Sequence, residues 1–101
     1  MGGEYTVVAK DENSLVKRLY LAKGKSISYQ THSLRDEVWV ITSGSGELIL
    51  DGETLDVKVG DTLRINRSQK HMITALSDLH IVEVQLGDAF DENDIERFQI
   101  E

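Results

Sequence analysis

Several residue types and patterns are missing from this chain of 101 residues, and their absence excludes whole classes of protein. There is no cysteine, so neither a disulfide framework nor a thiolate metal site can form. No apolar run approaches the ~20 residues that a helix needs to cross a bilayer. The first 25 residues contain no apolar core of a signal peptide. We therefore expect a soluble, cytoplasmic protein with no membrane partner.

Basic side chains are also few. The chain has 11 lysines and arginines against 18 acidic residues, a net charge of −7, and the basic residues form no run along the sequence. This charge repels nucleic-acid phosphates, so we expect no nucleic-acid partner. Binding of a small anionic ligand is not excluded, because a few basic side chains inside a cleft can attract an anion locally.

Short extended segments separated by glycine follow one another along the chain. Alternation or β-branched residues predict eight strands: Val16–Leu21, Lys25–His32, Glu37–Thr42, Glu47–Leu50, Thr54–Val59, Thr62–Ile65, His71–Leu76 and His80–Leu86. Asp51-Gly52 predicts a hairpin turn with positive φ. Only Asp91–Phe98 predicts a short C-terminal helix, with Asp91 and Asp94 in its first turn. The pattern favours an all-β sandwich or barrel, and the length favours one domain over residues 1–101.

The predicted strand Lys25–His32 has two different faces. Its polar residues are Ser26, Ser28, Gln30 and His32, and they alternate with Ile27, Tyr29 and Thr31. If the polar face points into a barrel, the interior suits a ligand, and the outward face of Ile27 and Tyr29 needs cover from a second subunit. The alternative is a half-buried strand with its polar face in solvent.

Four polar residues can converge on one metal ion. Gln30 and His32 lie on one face of a strand at positions i and i+2. Glu37 begins the next strand after a four-residue connection, and His71 begins a later one. Imidazole, carboxylate and amide oxygen form a harder ligand set than thiolates. Each residue by itself is more simply structural or solvated, so the prediction of a metal site depends on the spacing.

The spacing resembles the first sequence motif of the cupin superfamily. Five residues separate Gly24 from Gln30-Thr31-His32, four separate His32 from Glu37, and six separate Glu37 from Gly44. Every interval agrees with that motif. The one departure is Gln30, which stands where the motif usually has its first histidine.

A later stretch resembles the second cupin motif. It runs from Gly60 through Asn66-Arg67-Ser68 to His71, the position of a ligand histidine. The usual proline, second glycine and final asparagine are here Asn66, Ser68 and Ala75. The resemblance implies a small, jelly-roll-like β-barrel of two antiparallel sheets. It also implies one divalent metal ion (Zn, Mn, Co, Ni or Fe) inside, with four ligands: Gln30, His32, Glu37 and His71.

Further stretches are similar to the cupin domain of type II phosphomannose isomerases, usually the C-terminal part of a bifunctional mannose-1-phosphate guanylyltransferase. The similarity covers about Leu19 to Gln99. It is carried by Gln30-Thr31-His32 with Arg35, Glu37 and Trp39, Val40-Ile41-Thr42-Ser43-Gly44, Lys70-His71, Glu83-Val84-Gln85-Leu86-Gly87, and Asp94-Ile95-Glu96-Arg97-Phe98. Nothing in the chain resembles a nucleotidyltransferase. The resemblance implies metal-dependent isomerisation of mannose 6-phosphate to fructose 6-phosphate.

The same resemblance implies roles for residues beside the metal. Arg97 matches the family's Asp-Ile-x-Arg signature and is predicted to act in catalysis or substrate binding; otherwise it is a surface arginine near a helix end. Arg35 and Lys70 are candidate contacts for a phosphate or hydroxyl group. Arg35 could instead pair with a neighbouring carboxylate, and Lys70 adjoins a metal ligand and so points to the opposite face of its strand. Trp39 either walls the sugar pocket or lies in the core. The general base is not identified.

Three other functions stay open. The protein could be a non-catalytic module in which metal and barrel bind a sugar. Two histidines and a carboxylate also describe non-haem iron oxygenases, which would bind Fe(II) and consume oxygen. The third alternative is a structural dimeric barrel without metal. A homodimer is expected in each case, because cupins are often dimers.

Overall fold

The computed structural model describes residues 3–99, which form ten β-strands. They are β1 (Gly3–Lys10), β2 (Ser14–Leu21), β3 (Tyr29–Thr31), β4 (Arg35–Ser43), β5 (Ser45–Leu50), β6 (Glu53–Lys58), β7 (Thr62–Ile65), β8 (His71–Ala75), β9 (Leu79–Gly87) and β10 (Glu96–Phe98). The first sheet has the order β1-β2-β9-β4-β7 and the second β10-β3-β8-β5-β6. Every pairing is antiparallel. The predicted all-β double sheet is thus confirmed.

The inner faces of the sheets divide into an apolar part and a polar part. Eleven apolar side chains form one core cluster, and alternation along the strands places all of them there except Ile27: Leu21, Ile27, Trp39, Ile41, Leu48, Val57, Ile65, Ile73, Ala75, Leu79 and Ile81. The same alternation buries seven polar ones: Lys17, His32, Arg35, Glu37, His71, Glu83 and Gln85. Charged residues are rarely buried without partners, so this polar group marks the place to look for a site.

The predicted C-terminal helix is wrong. Residues 92 and 93 form a turn, and Glu96–Phe98 is strand β10, which pairs with β3. Asp94 does not cap a helix, because its carboxylate accepts hydrogen bonds from the backbone N–H groups of Ser33 and Leu34 at 2.9 Å. An isolated helix of eight residues is marginal in water, whereas the exposed edge of β3 offers a full ladder of partners.

The segment before β3 also differs from the prediction. Only Tyr29–Thr31 of the predicted strand Lys25–His32 is a strand, and Ser26 makes a single bridge to Thr74. The irregular backbone turns Ile27 into the core, where it is 9% exposed, so it does not share an outward face with Tyr29. An outward apolar face of Ile27 and Tyr29 therefore no longer supports the prediction of a homodimer.

Two turns explain residues of the sequence motifs. The Asp51-Gly52 hairpin has φ of 48° and 84°, as predicted. Ser68 has φ 64°, so the left-handed conformation is kept although serine replaces the motif's glycine. Its backbone N–H donates to the carbonyl of His32 at 2.8 Å, which fixes the loop beside the candidate ligands. Within residues 3–99 we find no helix of the length and apolarity that crossing a membrane requires.

Candidate metal centre and substrate pocket

Three candidate ligands meet between the two sheets. His32 follows β3, Glu37 lies on β4, and His71 begins β8; they are 6%, 2% and 1% exposed. One ligand atom from each lies within 4.8 Å of the others. Nε2 of His32 is 3.5 Å from Oε2 of Glu37, and Nε2 of His71 is 4.0 Å from Oε1. Strands far apart in sequence therefore bring two imidazoles and one carboxylate together.

Hydrogen bonds orient both imidazoles for metal binding. Nδ1 of His32 lies 2.7 Å from the carbonyl of Asp94, and Nδ1 of His71 lies 3.0 Å from the carbonyl of Gln69. A carbonyl only accepts, so each Nδ1 carries the proton and each Nε2 presents a lone pair towards Glu37. Backbone contacts of this kind fix metal-ligating histidines. Nε2 of His71 is fully buried and has no hydrogen-bond partner among the described residues. A divalent cation would satisfy this atom, so the residues fit a metal ion.

The electrostatics of the three groups agree with this fit. Burial lowers the pKa of His32 and of His71, so both are neutral near pH 7, the form that binds metal. Burial opposes ionisation of Glu37, but electrostatic attraction to the His71 ring and to the Arg35 guanidinium outweighs it and holds the pKa of Glu37 below the ordinary value. The triad therefore offers one anion and two neutral donors.

Gln30 lies beside the triad. Its Nε2 is 3.3 Å from Nε2 of His32, and its Oε1 accepts a hydrogen bond from Ser28 at 2.9 Å. Coordination needs the amide oxygen, which rotation of the amide group would exchange with the nitrogen. The structure brings Gln30 to the site, and its role as fourth ligand stays a prediction.

Arg35 and Trp39 both contact Glu37. The Arg35 guanidinium donates from Nε to Oε2 of Glu37 at 2.8 Å and from Nη2 to Nε2 of His32 at 3.2 Å. The Trp39 indole N–H donates to Oε1 of Glu37 and to Oε2 of Glu83, at 3.1 Å each. Both side chains are buried, and Trp39 belongs to the core cluster while also lining the pocket. They hold the Glu37 carboxylate in a fixed orientation.

A pocket of about 440 Å³ opens beside the triad. Its walls include Gln30, His32 and Glu37 together with three cationic side chains from different strands: Lys17, Arg35 and Arg97. Arg97 reaches it because β10 pairs with β3, with Arg97 opposite Gln30. The predicted secondary structure of the tail was therefore wrong, but Arg97 still lines the pocket.

Lys70 is not brought to this pocket. Its ammonium lies 4.3 Å from the centroid of the Phe98 ring, and it lines a separate groove with Tyr29 and Ile49. Adjacent residues of a strand point to opposite sides, so burying His71 sends Lys70 outward. Its role as a phosphate contact stays a prediction that this pocket does not support.

Five polar residues of the pocket were not predicted as site residues from the sequence: Tyr5, Lys17, Glu83, Gln85 and Glu92. Glu83 is 5% exposed, and burial together with the charge of Glu37 raises its pKa to about 7. Gln85 donates to Oε1 of Glu83 at 2.6 Å, and its own Oε1 is buried without a partner among the described residues. A signal existed in β9, where Glu83 and Gln85 continue the alternation that begins with Leu79 and Ile81.

Comparison with known proteins identifies the family of the chain. A family model described as "Mannose-6-phosphate isomerase C-terminal" matches residues 2–100. A mannose-1-phosphate guanylyltransferase of Salmonella montevideo is 31% identical over 95% of this chain and 21% of its own length. Alginate biosynthesis protein AlgA of Pseudomonas putida is 31% identical over 96% and 20%. The chain spans about one fifth of the length of the curated relatives it matches.

Solved structures share the fold at low sequence identity. KdgF from Halomonas sp. has a TM-score of 0.80 at 19% identity, covering 91% of this chain and 84% of that one. A cupin superfamily protein of Desulfitobacterium hafniense has a TM-score of 0.78 at 19% identity, covering 85% and 78%. At these identities the likeness shows the fold alone. Together with the family match, it establishes that the chain has a cupin fold and belongs to the mannose-6-phosphate isomerase C-terminal family.

Proposed function

We propose that the protein catalyses metal-dependent isomerisation of mannose 6-phosphate to fructose 6-phosphate. The observation that carries the proposal is the buried Nε2 of His71, which has no hydrogen-bond partner among the described residues and lies 4.0 Å from Oε1 of Glu37, a wall residue of the pocket with three cationic side chains. A metal-binding donor set and a positive pocket suit a substrate that has both hydroxyl oxygens and a phosphate. The description of the family supports this choice of substrate.

The isomerisation moves a proton between C1 and C2 of the sugar through an enediol. A divalent ion held by His32, Glu37, His71 and Gln30 would supply Lewis-acid stabilisation of the negative charge that develops on a sugar oxygen. Arg35 and Trp39 keep Glu37 in its ligand orientation. Arg97 lies at the pocket wall and is proposed to bind the sugar or its developing charge.

Glu83 is the candidate to carry the transferred proton. It lines the same pocket as Glu37, and the two carboxyl groups have pKa values displaced in opposite directions. Such a pair has one group that stays ionised and one that exchanges a proton near neutral pH. Glu37 therefore suits the role of ligand and Glu83 that of acid or base, a group the sequence did not identify.

The test is an assay of metal-reconstituted protein with mannose 6-phosphate, coupled to detection of fructose 6-phosphate. Zn²⁺, Mn²⁺, Co²⁺ and Fe²⁺ are compared with an EDTA-treated sample. We expect metal-dependent turnover that is lost in His71→Ala and kept in His80→Ala. His80 is a matched control because it is the exposed histidine of β9 and lies outside the pocket.

Other outcomes separate the rival functions. Stoichiometric metal without turnover in any metal would contradict the isomerase and favour a sugar-binding module. Two histidines and one carboxylate also form the ligand set of non-haem iron oxygenases, and oxygen consumption with Fe²⁺ would favour that function. An isomerase should be indifferent to oxygen. The homodimer and the cytoplasmic location stay predictions, and light scattering of the purified protein tests the former.

A further inference from the structure

Lys17 is an unusual residue for the inner face of a sheet. It lies in the middle of β2, between the inward-facing Leu15 and Leu19, and is 8% exposed. Lysine is almost never buried to this extent unless its ammonium is paired. Yet the nearest carboxylate oxygen, Oε1 of Glu92, is 3.9 Å from Nζ. A charge-assisted hydrogen bond would be ~2.8 Å long, so the ammonium lacks a close anionic partner among the described residues.

The surroundings of Lys17 hold an anion loosely at the pocket mouth. Glu92 comes from the connection between β9 and β10, and its side chain is 70% exposed. Its Oε1 accepts a hydrogen bond from the hydroxyl of Tyr5, and the Lys17 ammonium lies 4.2 Å from the centroid of the Tyr5 ring. A pair with one exposed partner contributes little to stability. A stronger anion can therefore displace the Glu92 carboxylate at small cost.

The cationic side chains of the pocket differ in the partners that they already have. Arg35 already donates to Glu37 and His32, so its guanidinium serves the metal ligands. Lys17 lies opposite Glu83, two strands away from Glu37 in the first sheet. A sugar phosphate whose carbonyl end lies at the triad would extend its phosphate away from it, and Lys17, two strands from Glu37, lines the same pocket.

We propose that Lys17 anchors the phosphate group of the substrate, and that the Glu92 carboxylate occupies this anion position when no substrate is bound. Naming a sugar phosphate rests on the proposed function, whereas the anion position rests on Lys17, Tyr5 and Glu92 alone. The phosphate offers several acceptor oxygens to an ammonium with three donors, where Glu92 now offers one distant oxygen. Lys17 would then select phosphorylated over free sugars.

The experiment measures binding to the metal-loaded protein by calorimetry, with mannose 6-phosphate, mannose and inorganic phosphate as separate probes. Lys17→Gln should weaken mannose 6-phosphate binding roughly ten- to one-hundredfold, as expected for loss of a charge-assisted hydrogen bond. Glu92→Gln should tighten it several-fold. Neither change should alter the affinity for mannose. Lys58→Gln is the matched control, since it removes the same charge from an exposed position of β6 in the other sheet.

Several results would overturn the anchor. One is that Lys17→Gln binds mannose 6-phosphate with an affinity within about twofold of wild type. Another is that Lys17→Gln loses affinity for mannose and for mannose 6-phosphate equally. The third is that the wild-type protein binds inorganic phosphate but not mannose 6-phosphate. If Lys17→Gln fails to fold or to bind metal, the exposed Glu92→Gln decides, because unchanged affinity there refutes the proposal. If the wild-type protein binds mannose 6-phosphate selectively but does not turn it over, the role of Lys17 as phosphate anchor is supported and the isomerase activity is contradicted. If Lys17→Gln turns over mannose 6-phosphate with an unchanged KM, the isomerase activity is supported and the role of Lys17 is contradicted.

Discussion

Replacing Glu83 with glutamine should stabilise the metal-free protein, and the gain should grow with pH. Glu83 is buried and accepts hydrogen bonds from the N–H groups of Trp39 and Gln85. No cation pairs closely with it among the described residues, and the nearby Glu37 carries a negative charge. Burial and this charge raise the pKa of Glu83 from 4.5 to about 7. Glutamine has the shape of the protonated acid and cannot ionise, and rotation of the Gln85 amide lets Oε1 of Gln85 accept a hydrogen bond from the new N–H group.

The size and sign of the effect follow from proton linkage. Between pH 4.5 and about 7 the folded protein keeps a proton on Glu83 that the unfolded chain has lost. Stability therefore decreases as pH rises through this range. At 1.36 kcal/mol per pKa unit, the rise from 4.5 to about 7 corresponds to about 3 kcal/mol. We expect the free energy of unfolding of Glu83→Gln to equal that of wild type near pH 4.5 and to exceed it by about 3 kcal/mol above about pH 7.

Denaturant unfolding in EDTA, from about pH 5 to about pH 9, measures this difference. The other titrating groups, including His32 and His71, are present in both proteins and cancel in the comparison. Glu53→Gln is the control, because Glu53 is an exposed carboxylate of β6 and its removal should change stability little at any pH. A gain that is independent of pH, or a loss at alkaline pH, would refute the reasoning.

Four further predictions concern the ligands, a turn and the tail. Glu37→Gln should lower metal affinity by removing the anionic ligand, and unchanged metal content in elemental analysis would contradict the ligand set. Acidification below pH ~6.5 should release the metal and destabilise the protein. The buried imidazoles of His32 and His71 have lowered pKa values, so as pH falls they take up protons in the unfolded chain before they do in the folded protein. Metal content and the free energy of unfolding are measured against pH. Gly44→Ala should cost more than Gly24→Ala, since both have positive φ but only at Gly44 would a Cβ meet a backbone oxygen, at 2.0 Å; thermal unfolding compares them. Arg97→Ala should depress turnover and leave metal content unchanged, and loss of metal would instead indicate a structural tail.

Local sequence was enough to predict most strands and the hairpin turn. Seven of the eight predicted strands agree with β2 and β4 to β9 within a few residues, because alternation and turn residues act over short distances. The edge strand β1 was missed, since nearly all its residues are exposed and no alternation marks it. The tail was misassigned because its partners, Ser33 and Leu34 for Asp94 and β3 for β10, are about sixty residues away.

The candidate ligands were predicted from spacing and family resemblance, and the structure brings His32, Glu37 and His71 together with Gln30 beside them. The sequence alone therefore determined the all-β class and the main strands, because strand periodicity and short connections act locally, and its spacing and family resemblance supplied the residues of the candidate metal centre. Only the tertiary structure decided what surrounds that centre. It placed Arg97 in the pocket and Lys70 outside it, and it buried Lys17 and Glu83 in the walls of the same pocket as Glu37. The physical reason is that burial, pKa and charge pairing depend on which strands are neighbours in a sheet, and strand order is not encoded in local alternation.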